Sequence, residues 1–333
     1  MTRPHNQPDY RIMIDEVDAT DRFNGRSIRL TLSDRKGFEA DQLDIAVDDH
    51  AQNVALPRRG AKVNVAIGWV GGPLVDKGLF VVDEIEHNGP PDRLTIRARS
   101  VDFRESFKTQ QTRGWHDTTL GALVTTLAKA HQLIPAISPA LAAIAIPHMD
   151  QTNESDGNLL TRLGRQYDAI ATIKSGRLLF TAQGTGATVS GRRIERRRIQ
   201  RSDGDRHRYS EADRSGKYTG VTANYYDADQ AELIGVTAGD AATAKTLRET
   251  YPTRAEAADA ADAEWRRIQR AGSQMQITLA RGDALLAPET PVSLNGWKRE
   301  ITEKPWITGN VTHSIGEGGF VTSVELELEN ANA

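Results

Sequence analysis

The chain has 333 residues, 38% hydrophobic and 26% charged, with 42 Lys+Arg against 45 Asp+Glu, a formal net charge of −3 and no cysteine. That length accommodates two or three domains, each with its own core. The near-neutral charge gives no general attraction to nucleic acid or anionic lipid, and the missing cysteines exclude disulfides, thiolate metal sites and cysteine nucleophiles.

Residues 1–9 form a polar arm without the apolar core of a signal peptide. The longest apolar run, Ala140 to Pro147, is too short for a bilayer, which takes about twenty residues. The expectation is synthesis in the cytoplasm and no direct membrane insertion.

Residues 10–105 read as a first β-barrel. Tyr10–Ile14, Ile28–Leu32, Leu43/Ile45/Val47, Val63/Val65/Ile67/Trp69, Leu79–Val82 and Leu94–Ala98 carry the period of two expected of half-buried strands. Asn24-Gly25 is a hairpin-type signal and Gly71-Gly72-Pro73 a break. Six or seven strands suffice for a small closed barrel without open edges. Residues 106–170 read as a helical connecting region. Asp117 or Thr118 caps a helix whose apolar face is Leu120, Leu123, Val124 and Leu127. A loop with Pro135, Pro139 and Pro147 follows, then a helix opened by Ser155 or Asp156 and carrying Leu159, Leu160, Leu163 and Tyr167.

Residues 171–333 read as a second β-barrel region. Ala171–Ile173 and Leu178–Phe180 form a hairpin about Ser175-Gly176, and 184–217 is an inserted, basic, loop-rich stretch. Tyr218–Tyr226 returns to strand. A helix over 253–271 opens on the capping box Thr253/Glu256, in which hydroxyl and carboxylate each satisfy a first-turn N–H, and its stripe is Ala258, Ala261, Trp265 and Ile268. The closing strands are Ile277–Leu279, Val292–Leu294 before the turn dipeptide Asn295-Gly296, Trp306–Val311 and Phe320–Leu328. In the last, Val324, Leu326 and Leu328 face one way and Ser323, Glu325 and Glu327 the other. The fold class is β-dominated α+β: two small β-barrel domains with interspersed helices.

Chemistry is sparse. Gly184-Thr185-Gly186 begins like a dinucleotide loop, but Val189 stands where a third glycine is needed. Around Gly216-Lys217, Glu211 and Tyr218 replace the first glycine and the Ser/Thr of a phosphate loop. His148 and Asp150 offer two metal ligands without a third at a recognisable spacing, and read as a polar loop after Pro147. His131 continues the first helix's apolar stripe and reads as a satisfied, half-buried histidine; His313 lies in a strand. A Ser-His-Asp triad is a matter of geometry, but nothing resembles a nucleophile elbow. No catalytic residue, cofactor or metal site is singled out. The local anomaly is basic: Arg192, Arg193, Arg196, Arg197, Arg198 and Arg201, continued by Arg206 and Arg208, against Glu195, Asp203, Asp205 and Glu211. With Tyr209 the only nearby ring, a base-stacking platform is disfavoured, and the stretch reads as a protein interface or a solvated face. Those first six arginines, with Trp115, Trp306 and His313, form the candidate interface set.

Read in order, particular segments become specific. Asp102 through Trp115 leads into Leu120…Leu127-Ala128; Gln151 through Asp156 precedes Leu160-Thr161-Arg162-Leu163; Gly176 through Phe180 follows; Trp306-Ile307, Val311-Thr312-His313 and Gly319 through Thr322 close the chain. From Tyr10 to Leu328 this order resembles the phage late-control protein D family, the central baseplate hub of contractile tails, and is similar to the hub portion of type VI secretion spike proteins. Gly157-Asn158 departs from it, since relatives often place a bulky residue there, and the arginine stretch maps onto no family feature. The resemblance implies a non-enzymatic homotrimer, a pseudo-sixfold ring adapting a hexameric tail tube to a trimeric spike. It implies as partners the spike, tube, tape-measure and baseplate wedge proteins, with transient passage of DNA through the lumen. The place it implies is the baseplate of a virion tail or phage-tail-like particle. The alternatives are a tail-associated cell-wall hydrolase and a nucleic-acid- or carbohydrate-binding barrel.

Overall fold

The structure, a computed structural model, describes residues 7–52, 54–100, 105–211 and 218–330. Residues 1–6 of the polar arm, 102–104 of the segment before Trp115, and Gly216-Lys217 lie outside them. The first block comprises β1 (Pro8–Ile14), β2 (Val17–Asp18), α1 (Thr20–Phe23), β3 (Ile28–Asp34), β4 (Gln42–Asp48), β5 (Lys62–Trp69), β6 (Val75–Asn88) and β7 (Arg93–Ser100). The middle unit has a 3-10 turn (Glu105–Lys108), β8 (Gln110–Thr119), α2 (Leu120–Ala130), β9 (Ile134–Ile137), α3 (Pro139–Ala142), β10 (Ala145–Ser155), α4 (Asp156–Gln166), β11 (Ala169–Lys174) and β12 (Arg177–Ala182). The last third begins with β13 (Arg197–Gln200), a second 3-10 turn (Arg201–Asp203), β14 (Gly204–Glu211), β15 (Gly220–Asp227), β16 (Glu232–Gly239) and β17 (Ala244–Tyr251). It ends with α5 (Arg254–Arg270), β18 (Ser273–Leu279), β19 (Pro291–Asn295), α6 (Arg299–Thr302), β20 (Trp306–Gly316) and β21 (Gly319–Leu328).

The two β-blocks share one thirteen-stranded sheet, ordered β14-β18-β21-β20-β3-β4-β7-β6-β5-β1-β2, with β19 pairing β20 and β13 pairing β19. The seam is β20 against β3, antiparallel, with Val311 opposite Asp34, His313 opposite Leu32 and Ile315 opposite Leu30. The first block curls about a core of Ile12, Leu30, Ile45, Val65, Phe80 and Ile96, to which the last third adds Ala284, Ile315 and Phe320. Among the described residues no ladder joins β1 to β3, so curvature about that core, not a continuous ring of hydrogen bonds, encloses it. Asn24-Gly25 does not join two paired strands: it ends α1, and β1 pairs with β5 and β2. The second core gathers Ile199, Met275, Ile277, Val292, Leu294, Trp306 and Val311, and Val324 and Leu326 pack into it with Leu328 at its rim.

The middle unit buries Leu120, Leu123, Val124 and Leu127 of α2 and Leu159, Leu160 and Leu163 of α4 completely. Thr119, not Asp117 or Thr118, caps α2, accepting from Ala122 N at 3.1 Å; Ser155 caps α4, accepting from Asn158 N at 3.2 Å. The Ser175-Gly176 turn joins β11 to β12 with both residues at positive φ, the geometry that suits a two-residue hairpin. The expected proline-rich loop instead contains β9, α3 and the first half of β10. Both faces of β10 carry polar residues, so the strand leaves no apolar period to read. Beside Gly157, Phe38 from the β3–β4 loop packs edge-on to Phe107 at 5.2 Å and fills the place of the missing bulky residue.

β15, β16 and β17 form a separate three-stranded sheet covered by α5, whose Ala257, Ala261, Trp265 and Ile268 meet Val221 and Ala223. Thr253 Oγ1 accepts from Glu256 N at 3.2 Å, but the Glu256 carboxylate meets the Thr253 hydroxyl instead of a backbone N–H, so half the capping box forms. Glu211 of β14 stands opposite Ser273 of β18, so this whole unit hangs between two neighbouring strands. A bidentate pair, Arg270 Nη1 to Asp168 Oδ2 at 2.7 Å with Nη2 on Oδ1, ties α5 to the middle unit in the interior.

At the seam, the Trp69 Nε1–H donates to Gly282 O at 2.9 Å. A Cβ on Gly282 would lie 2.5 Å from the ring of Phe320, which is fully buried. Gly282→Ala is therefore expected to destabilise the chain by about 1–3 kcal/mol through overpacking. Gly318→Ala, with nothing within 4 Å, serves as the neutral control in thermal unfolding.

Candidate interface surfaces and a charged cleft

The arginine stretch is more ordered than its composition suggests, because β13, a 3-10 turn and β14 occupy half of it. These strands lie at the margin of the sheet and bury little, so they lack an apolar period. Arg196 donates to Glu329 Oε2 at 2.6 Å and to Val292 O at 3.2 Å, Arg193 lies 3.8 Å from Glu329, and Arg197 meets Asp283 at 2.6 Å. These three fasten the segment to the second block. Arg192, Arg198, Arg206 and Arg208 are exposed and form no ion pair among the described residues; Arg201 Nη1 donates to His207 Nε2 at 3.3 Å. Trp115 on β8 is half-buried under the Arg113 guanidinium, 4.9 Å from its centroid. Trp306 and His313 are fully buried, Trp306 donating to Ile301 O at 2.8 Å, so both belong to the core.

From β14 to β6 the sheet has eight strands, each antiparallel to the next. One face is apolar and lies on the two cores. The other carries, strand by strand, Arg206 and Arg208, Gln274 and Gln276, Glu325 and Glu327, Thr312, Thr31, Asp44, Arg97, then Glu84. Among the described residues both ends are open: β14 pairs only with β18, and β6 from Asp83 to Asn88 pairs only with β7. The outermost charges differ in sign: arginines on β14, and Asp83, Glu84 and Glu86 on β6.

Where the two blocks and the middle unit meet, a cavity of about 1240 Å3 opens, lined by Lys77, Leu79, Ile170, Lys174, Leu285 and Glu289 among others. Three lysines organise it. Lys174 Nζ on β11 donates to Asp34 at 2.7 Å and also pairs with Asp41. Lys36 lies 3.0 Å from Glu289 and pairs with Glu327. Lys77 Nζ donates to His313 Nε2 at 3.0 Å, while His313 Nδ1 lies 3.0 Å from Thr322 Oγ1. Burial, with Asp34 alongside, raises the Asp41 carboxyl above its usual range despite Lys174. Burial likewise raises Glu289 against the pull of Lys36. For Lys174, burial opposes the charge but the two aspartates prevail and its pKa is raised. Burial lowers Lys77 and, with the Lys77 charge beside it, pushes His313 down to about 3.

One constellation was invisible to spacing. The Ser106 hydroxyl lies 2.8 Å from His131 Nδ1, and His131 Nε2 lies 2.8 Å from Asp156 Oδ2. His131 is buried, stacked on Phe107 at 3.6 Å, and caps α2. Burial opposes ionisation of Asp156, but hydrogen bonds from Gln151 and His131 and the Arg113 charge hold its carboxyl below the usual range. With that carboxylate committed to three partners, the cluster ties the 3-10 turn, the end of α2 and the start of α4 together. His148 and Asp150 stand on β10, not in a loop, with His116 of β8 opposite His148.

Known proteins can be set beside this architecture. The family model described as phage tail baseplate hub (GPD) matches residues 35–319. The chain belongs to the phage tail baseplate hub family. A probable baseplate hub protein of Escherichia phage P2 is 42% identical, the match covering 96% of this chain and 93% of that protein. The 43 kDa tail protein of prophage MuSo2 from Shewanella oneidensis shares the fold at TM-score 0.69 and 14% identity, over 97% of this chain and 99% of that one. An E. coli type VI secretion component, described as similar to the T4 tail proteins gp27 and gp5, aligns at TM-score 0.55 and 13% identity, over 95% and 76% of the two chains. This hub chain is thus a structural part of a phage tail, related in fold to type VI secretion machinery. No helix among the described residues is long and apolar enough to cross a membrane.

Two measurements follow from the cleft. Lys174→Met leaves Asp34 and Asp41 facing each other and is expected to cost about 3 kcal/mol in urea unfolding, with Asp41→Asn in the same chain recovering part of the loss. His313 is neutral in the fold, and its unfolded counterpart takes a proton near pH 6.5. Its stabilisation is therefore complete above about pH 6.5 and falls as the pH drops toward about 3. Between pH 7 and pH 5 the wild-type chain should lose about 2 kcal/mol more than His313→Gln; equal losses would show that His313 titrates normally.

Proposed function

We propose that this hub chain works as a homotrimeric ring, the β14 edge of one copy joining the open half of β6 in the next. The observation that carries the reading is the eight-strand wall with two open edges. An exposed edge is a template for pairing, and an even number of alternating strands presents its two ends in opposite directions. β14 of one copy therefore meets β6 of the next antiparallel, as every other pair in the wall does. Arginines then stand beside Glu84 and Glu86. A heterologous contact of this kind either closes into a ring or runs on as a filament.

Closure at three copies is supported by the two β-blocks, β1–β7 and β13–β21, linked through the middle unit. Two blocks in each of three chains give a pseudo-sixfold ring that fits a hexameric tail tube on one side and a trimeric spike on the other. The polar face of the wall lines the channel through which the tape-measure protein and, where the particle carries it, DNA pass. The exposed Arg192, Arg198 and Arg201 contact the neighbouring copy or a baseplate wedge protein. The role is positional and calls for no catalysis by this chain.

Native mass spectrometry of the purified chain, alone and with a trimeric spike protein, tests the reading. A trimer that falls apart in Arg206→Glu/Arg208→Glu, and reforms when Glu84→Arg/Glu86→Arg is added in the same chain, is the expected result. A strict monomer that never joins the spike would overturn it.

A further inference from the structure

β8 and β10 form a two-stranded ribbon with one face inward and one outward. Inward, Trp115 opposes Met149 and both pack against the middle core. Outward, His116 opposes His148 and Gly114 opposes Asp150. The two imidazoles are exposed, with centroids 4.7 Å apart and Nδ1 atoms 2.9 Å apart. At that distance both Nδ1 atoms cannot carry protons: either one donates to the other, or both lone pairs converge on a cation.

The geometry points to a binding site for a divalent transition-metal ion of the zinc class, held by Nδ1 of His116 and Nδ1 of His148. Imidazole nitrogen suits that class of ion, which sits about 2.0–2.1 Å from each ligand. Two neighbours favour the arrangement. Asp150 Oδ2 lies 3.4 Å from His148 Nε2, where a carboxylate holds the proton on the far nitrogen and leaves Nδ1 free to ligate. Gly114 leaves room for the His116 ring, since a Cβ there would come 2.7 Å from its Nε2. Among the described residues no cluster of three or more ligating side chains converges, so solvent completes the coordination. An isolated two-stranded ribbon is marginal, and an ion bridging its strands would fasten them on the side away from the core.

Isothermal titration of the full chain with zinc chloride at pH 7.5, in a non-chelating buffer, tests this, with hydrogen exchange of residues 110–119 and 145–155 measured in parallel. One zinc per chain is expected, with slowed exchange in both strands. Affinity should fall by at least about tenfold in His116→Asn, His148→Asn and Asp150→Asn. His50→Asn, at an exposed histidine elsewhere, should bind as the wild type does. No zinc uptake by the wild type would overturn the site. So would unchanged affinity in a His116→Asn/His148→Asn chain that melts, without metal, at the wild-type temperature.

Discussion

The antiparallel ladder between β20 and β3 is the constraint on which the rest of the molecule depends. It joins strands from opposite ends of the sequence and turns two curled blocks into one sheet. Because side chains alternate along a strand, the register that puts Ile315 into the first core also sets Val311 in the second and His313 between them. A slip of one residue would turn all three outward. Trp69, Gly282 and Phe320 lock that register from the side, since the Phe320 ring fits only against a residue without a Cβ.

The β3–β4 loop does the same for the middle unit. Within four residues it supplies Arg35 N to Asp41, Lys36 N to Asn310, the Lys36 ammonium to Glu289 and Glu327, and the Phe38 ring to Phe107. The first closes the loop on itself, the next three reach the second block and the last reaches the middle unit. Buried ion pairs add little net stability, but removing one partner is costly. A loop held by several of them is fixed in place more than it is strengthened. For a structural part of a phage tail, fixity of this kind matters more than a large unfolding free energy.

Legibility in the sequence followed burial. Strands with one face in a core, such as β3, β5 and β21, showed their period of two, and α2 and α4 showed their leucine stripes. β8, β10, β13 and β14 bury too little for any period to appear, so a ribbon and an edge read as loops. Trp306 and His313 were picked as surface candidates, but the register of β20 carries both inward. The pairings of Ser106 with His131 and of His116 with His148 bring together residues 25 and 32 positions apart. Only the docking of the 3-10 turn on α2, and the β8–β10 register, make them neighbours. The order of segments pointed to the family because it samples the whole chain, which no single motif here does.

The unit from β15 to α5 leaves the wall at Glu211 and returns at Ser273, its immediate neighbour across the ladder. In topological terms it occupies the loop of a hairpin. The entropy of closing such a loop grows only slowly with its length, so segments can be added to or cut from this unit at small cost to the strands on either side. Lineages of hubs can therefore vary this unit while inheriting the wall, and variation in length should concentrate here and not in the wall.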